Sequence, residues 1–513
     1  MKRCALVLFL AAAWGEIALG KVSVPRLFSD SMVLQREQPL RFWGTAEPGE
    51  AVAVTLGSES GKTTAGADGR WLVELPARLA SFEGSELRIA GTNQLIYKDV
   101  VIGDVWVCSG QSNMAFLLGS EKHASTELPN ANHPGLRFFR VTPDVSFAPK
   151  DRVPGKSWVR CTPETAQAFS AVAYYFGKEI LQRENVPIGL VGSYWGGTPA
   201  EAWTSSAALK GHPLIKHYLD ERDLRVLEMD ARMKRYHEKV LPKWERDHKE
   251  WETTSRTAGA KSPEPRKPTA PDRNPSTPTV LFNAMIYPLL NYGVKGVIWY
   301  QGEANAKTKE KSSEYAQLFP AMIADWRAQW GRGEFPFLFV QLAGYGEGAF
   351  FPELREAQAK TLSLSNTGMA VALDAGERGD IHPTNKRIVG ERLALVARSV
   401  AYGEDVLHEG PTVTCLESGG ETLRLHFSKT GGKLVCDGTE LRGFEVAGED
   451  EKFTAVPAVI EGEAVVLDRR SVSAPRYIRY GWAPYSEGNL YNAVTLPAAP
   501  FVMSVQESGA GVR

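Results

Sequence analysis

The sequence predicts an α/β protein, a three-layer α/β/α core built on a parallel sheet and flanked by β-rich domains. Three observations lead there. Residues 100–403 carry short, nearly continuous apolar runs separated by helical patterns, the pattern of strands covered on both faces. Residues 21–99 alternate apolar and polar positions between Gly, Pro and Asp turns, as around Val52–Leu56 and Trp71–Leu75, which reads as a small β-sandwich. Alternation returns over residues 404–513, a second β-rich domain. At 513 residues the chain exceeds what one hydrophobic core organises, so about two to four domains are expected.

Lys2 and Arg3 precede an apolar run from Ala5 to Trp14, closed by the small residues around Ala18 and Gly20. This is a signal-peptide pattern over residues 1–20, too short to span a bilayer. It predicts a secreted, periplasmic or otherwise extracytoplasmic chain with no membrane anchor. Within the core five strands are expected: Asp104–Cys108, Pro187–Gly192, Val294–Tyr300, Phe337–Leu342 and Met369–Asp374. Phe169, Val172, Ala173, Phe176 and Ile180 recur at helical spacing ahead of the second strand. A charged helical insert is expected over about 208–278: a solvated helix or helical pair from Leu219 to Trp251, then a Pro-, Lys- and Thr-rich loop from Thr253 to Pro278.

Composition narrows the function classes. The chain is 43% hydrophobic and 23% charged, as folded globular proteins are. Its 59 Lys and Arg nearly cancel its 60 Asp and Glu, leaving no global field to attract nucleic acid or an anionic membrane. A neutral, hydroxyl-rich ligand fits that balance better. Beyond the signal segment, Cys108 reads as a buried thiol, while Cys415 and Cys436 share the C-terminal β-rich stretch and are the expected disulfide. No CxxC, HExxH, P-loop or GxGxxG pattern is present, so neither a metal nor a cofactor is expected.

Four polar clusters carry candidate chemistry. Gly110-Gln111-Ser112-Asn113-Met114 follows the first strand; a serine there opens a helix at the strand's C-terminal edge, where α/β sheets bind ligands, and its backbone NH can face an oxyanion. A helix-capping serine would look the same taken alone. Asp380-Ile381-His382-Pro383 offers an imidazole to take the serine proton and a carboxylate to orient it. Trp299 to Asn305, after the third strand, offers Gln301 or Asn305 as side-chain donors and Glu303 as a support. Gly192 to Thr198, after the second, offers Gly196 and Gly197 for close backbone approach. In a flavodoxin-like strand order all four converge on one crevice. Tyr194, Trp195, Trp203 and Trp299 lie near these motifs as candidate sugar-stacking rings, against the commoner role of core packing.

In the order GQSNM, GGTPAEAW, WYQGEAN and DIHPTNK, these motifs resemble the sialate O-acetylesterase group of the SGNH hydrolases, over roughly Val100 to Tyr402. The resemblance implies a serine esterase acting on O-acetylated carbohydrate, with Ser112 as nucleophile, His382 as base, and an oxyanion hole from the Ser112 NH, a glycine NH of Gly196 or Gly197, and the Gln301 side chain. Gln111, Asn113, Trp195 and Asn305 are the expected substrate-binding residues. Many SGNH enzymes place the triad acid three residues before the histidine, where this chain has Gly379; Asp380 is the first choice of acid, with Glu303 and Asp374 as alternatives. Two other functions fit the same sequence: an esterase for acetylated xylan or another polysaccharide, and a non-catalytic carbohydrate-binding protein.

Overall fold

The computed structural model describes residues 21–258, 263–472 and 474–505; the expected signal segment lies outside them. Its centre is a sheet ordered Thr367–Val371, Phe337–Gln341, Gly296–Tyr300, Gln94–Gly110, Ile188–Tyr194, His133–Arg140 and Val159–Cys161. Every neighbouring pair is parallel except the last. Among the five expected strands the order is second, first, third, fourth, fifth, the flavodoxin-like order. The chain therefore reverses direction across the sheet between the first and third strands, which opens a crevice at their C-terminal ends.

Two strands were not anticipated. His133–Arg140 lengthens the parallel sheet by one, and Val159–Cys161 closes its edge in the antiparallel sense. The expected last strand, Met369–Asp374, ends instead at Val371, and Leu373–Ala375 forms a short turn of helix.

Register explains the layering. Gly296 pairs with Trp106, so the Trp106 and Trp299 side chains leave opposite faces of the sheet. On one face Trp106 meets Phe176 edge-on at 5.0 Å, from the helix Ala171–Glu184, which packs with the helix Arg387–Val400. On the other, Trp299 packs against Phe319 and Trp326 of the helix Lys309–Trp330. The Ala171–Glu184 helix starts where the Ser170 side chain accepts the Ala173 NH and stops at Asn185 in a left-handed conformation.

The Gln94–Gly110 strand runs through both N-terminal regions: its first half pairs with Ser81–Ala90, its second with the core strands. The boundary expected between residues 99 and 100 thus falls inside one continuous strand, and apolar side chains of both regions form one core. The C-terminal strands, Thr412–Gly419 to Phe501–Ser504, surround an apolar cluster of their own. Cys415 and Cys436 are both free thiols, contrary to the expected bridge; they sit in separate sheets, paired to Thr422–Ser428 and Leu490–Asn492 respectively.

The insert is helical over His217–Leu227, Met229–Arg235 and Leu241–Ala258, so helix continues past Thr253 where a loop was expected. The Pro-rich stretch folds back along it: Trp244 Nε1 donates to Pro265 O at 2.9 Å and Tyr236 OH to Pro268 O at 3.0 Å. Among the described residues, no helix is long and apolar enough to cross a membrane, and no group of His, Cys, Asp and Glu could hold a metal ion.

Candidate active site

Ser112 opens a one-turn helix, Ser112–Ala115, directly beyond the first core strand. Gly110 makes the turn possible. Its φ is +132° and a β-carbon there would stand 2.2 Å from Tyr300 O, so only glycine fits. Backbone bonds then stitch three strand ends together: Gln111 NH donates to Tyr300 O at 3.0 Å, and Trp195 NH to Gly110 O at 3.1 Å. Ser112 is left partly accessible beside the exposed Gly196 and Gly197. At Gly196 an added β-carbon would lie 3.3 Å from that of Ser112, which puts the glycine turn against the serine. Among the described residues, the NH groups of Ser112, Gly196 and Gly197 are donated to no other group and so remain free to bind an oxyanion.

Across the crevice, His382 Nε2 is 2.8 Å from Ser112 Oγ, although 270 positions separate them in sequence. The serine hydroxyl donates to Nε2 in the tautomer that keeps its proton on Nδ1. Asp380 Oδ1 accepts the His382 backbone NH at 2.8 Å and stands 3.6 Å from Nδ1. That carboxylate is thus beside the ring but beyond hydrogen-bond length, and it is more than half exposed. Burial holds the His382 pKa below its ordinary value of 6.5; Asp380 opposes this and Lys386 adds to it. The imidazole is accordingly neutral, and ready to accept a proton, at neutral pH.

The alternative acids are engaged elsewhere. Arg392 holds both oxygens of Asp374, at 2.6 and 2.8 Å. Glu303 is buried, with Oε1 accepting the Asn113 side-chain NH and Oε2 unpartnered among the described protein atoms; burial raises its pKa. Neither bonds to His382.

Several expected substrate contacts turn inward. Gln301 donates to Thr198 O at 3.2 Å and Asn305 Oδ1 at 2.7 Å, while its own oxygen accepts from Tyr315 OH at 2.9 Å. Its amide protons are spent, so the donor position expected of Gln301 in an oxyanion hole is not available to it in this arrangement. Asn305 is also fully buried, donating to Glu201 Oε2 at 2.8 Å and accepting from Ala200 NH at 2.9 Å. The Gln111 side chain accepts the Ala304 NH at 3.2 Å. Asn113 donates to Ile381 O at 3.0 Å and accepts from Lys386 Nζ, so it ties the serine turn to the histidine loop. Of the four candidate stacking rings, Tyr194, Trp203 and Trp299 are core, and Trp195 alone is partly exposed.

Sequence reasoning missed Lys386, Glu201 and Tyr315. For Lys386 a signal existed: it lies three residues before Val389 and seven before Leu393, on the buried face of the following helix.

Known proteins share this whole arrangement of sequence. A rat sialate O-acetylesterase (Rattus norvegicus) is 33% identical, with 93% of each chain covered. The chain belongs to the sialate O-acetylesterase family. It is a carbohydrate esterase by that membership, and the family model described as "Carbohydrate esterase, sialic acid-specific acetylesterase" matches residues 278–398, which include His382. The human sialate O-acetylesterase (Homo sapiens) is 30% identical over 94% of this chain and 92% of its own. Among solved structures, a carbohydrate acetylesterase from Xanthomonas citri superposes with a TM-score of 0.79 at 36% identity, covering 94% of this chain and 99% of that one.

Proposed function

We propose that this chain is a serine esterase that removes O-acetyl groups from sugars, O-acetylated sialic acid foremost, through Ser112 and His382. The observation that carries the reading is the 2.8 Å contact between Ser112 Oγ and His382 Nε2, at the sheet's reversal point. Names of the relatives support the substrate class: sialate O-acetylesterases in mammals and a carbohydrate acetylesterase in Xanthomonas citri.

As Ser112 Oγ attacks the acetyl carbonyl carbon, its proton passes to His382 Nε2. The tetrahedral oxyanion takes hydrogen bonds from the NH groups of Ser112 and of the Gly196–Gly197 turn. Collapse breaks the carbonyl carbon to sugar oxygen bond, and His382 returns the proton to the departing hydroxyl. Water, deprotonated by His382, then attacks the acetyl-serine carbonyl; collapse breaks the carbon to Oγ bond, His382 returns the proton to Ser112 Oγ, and acetate leaves.

The direct test is acetate release from O-acetylated sialic acid beside acetylxylan, with wild type and Ser112→Ala, together with labelling of Ser112 by a serine-reactive phosphonate. Release from sialic acid that disappears in Ser112→Ala is the expected result. Release from acetylxylan alone would move the substrate to a polysaccharide. Folded protein that neither labels nor releases acetate would be a binding module.

Two further outcomes follow from the geometry. Because the base must be neutral, kcat/KM falls as His382 protonates, and a pH profile should put that acid limb below the 6.5 of an ordinary histidine, the direction burial gives it. Asp380 is exposed and 3.6 Å from Nδ1, so Asp380→Asn should lower kcat about tenfold, far less than the roughly 10⁴-fold cost of losing a buried, hydrogen-bonded triad aspartate. Steady-state kcat of that variant decides between a dyad and a triad.

A further inference from the structure

We propose that Lys386 is a positioning residue for His382: it anchors the loop carrying the imidazole to the nucleophile turn, and its ammonium opposes a second positive charge on the ring. The inference rests on the reading of Ser112 and His382 as the reacting pair. Fully buried lysines are rare, because an ammonium out of water is costly unless something holds it there. Lys386 has no measurable exposure, yet its hydrogen bond goes to a neutral acceptor, Asn113 Oδ1. It lies over two rings, 4.9 Å from the centre of Phe116 and 5.6 Å from that of Tyr300, which stabilise a cation through their faces.

Asn113 makes that lysine part of a joint between three strand ends. Its side-chain nitrogen donates to Glu303 Oε1, on the third strand's turn, and to Ile381 O, the residue before His382. One asparagine next to the nucleophile thus fixes the carbonyl preceding the base, and the lysine orients the asparagine amide: with Nζ on Oδ1, Nδ2 must point at Glu303 and Ile381.

The carboxylates facing Lys386 are Glu303, Glu377, Asp380 and Glu121. Each accepts hydrogen bonds from elsewhere: Glu303 from Asn113, Glu377 from Thr384 NH and Oγ1 at 2.7 and 2.8 Å, Asp380 from the His382 NH, and Glu121 from His123 NH and Tyr175 OH. They support the ammonium through space. Burial outweighs them and pulls the Lys386 pKa down to about 7, and the lysine's positive charge in turn lowers the pKa of His382.

A lysine that only filled space would change kcat without moving the pH profile. Removing a positive charge near His382 instead raises the imidazole pKa, so in Lys386→Met the acid limb of kcat/KM should move to higher pH by about half a unit to one unit. Lys386→Gln should shift it the same way. Folding of both variants is read from thermal denaturation and from phosphonate labelling of Ser112. NMR supplies an independent reading: the titration midpoint of the His382 ring should rise in Lys386→Met relative to wild type. A His382 midpoint or an acid limb that stays unmoved in a folded variant overturns the proposal. Activity persisting in Ser112→Ala would instead overturn the reading of the reacting pair, so the two failures are distinguishable.

Discussion

Ser112→Ala is expected to lower turnover on an O-acetylated sugar by about five to six orders of magnitude, and adding His382→Ala to it should cost almost nothing more. The reason lies in the single hydrogen bond that joins the two side chains, 2.8 Å between Oγ and Nε2. A serine hydroxyl with no base to take its proton is a poor nucleophile at neutral pH, and a base with no hydroxyl to deprotonate has nothing to activate. Each alone loses what the pair supplies. Rate enhancement left in either variant comes from the unspent NH groups of Ser112, Gly196 and Gly197 and from substrate binding, and is expected to be the same in both. Acetate release at high enzyme concentration measures it. Should the double variant fall below Ser112→Ala by a factor approaching that of His382→Ala alone, the two residues would be acting independently and the pairing would be refuted.

Much of this architecture was legible in the sequence because its determinants are local. Apolar runs such as Val105–Cys108 and Val297–Tyr300 mark strands buried on both faces, and polar, Gly-bearing motifs after them mark the crevice. The His133–Arg140 strand was not legible, because it opens with His-Pro-Gly and carries Arg137, residues that read as a turn. In the fold that arginine is buried and bonded to Asp99 at 3.1 Å, a contact between distant positions that no local pattern announces. The same limit governs the site. The roles proposed for Ser112 and His382 follow from residue type and motif order, but which way an amide points at a strand's end depends on what surrounds it. Thr198 O, Asn305 and Tyr315 capture the Gln301 side chain, and Arg392 captures Asp374; none of these partners is near in sequence to all the others. Cys415 and Cys436 make the point for the C-terminal region: shared β character does not bring two strands into one sheet.

Gly110→Ala should damage both stability and activity strongly. The added carbon would meet Tyr300 O at 2.2 Å, Tyr300 C at 2.7 Å and Tyr300 N at 3.0 Å, all backbone atoms that no rotamer change can clear. Its φ of +132° adds a conformation that alanine rarely adopts. Strain of this kind and overpacking each cost about 1 to 3 kcal/mol, so a loss of roughly 4 kcal/mol is expected. Relief requires separating the first and third strand ends, joined by the Gln111 to Tyr300 backbone bond, beside the Trp195 to Gly110 bond that ties in the second. That movement displaces Ser112 from His382, and a misplacement of about 1 Å is enough to cost on the order of 10²-fold in rate. Denaturant midpoints at unchanged slope measure the first effect, and kcat/KM on the surviving folded fraction the second. Gly379→Ala is the matched control, since a methyl there meets nothing within 4 Å and should change stability by less than about 0.5 kcal/mol. If Gly110→Ala proved as stable and active as that control, the close approach of the two strand ends on which the serine's position depends would be wrong.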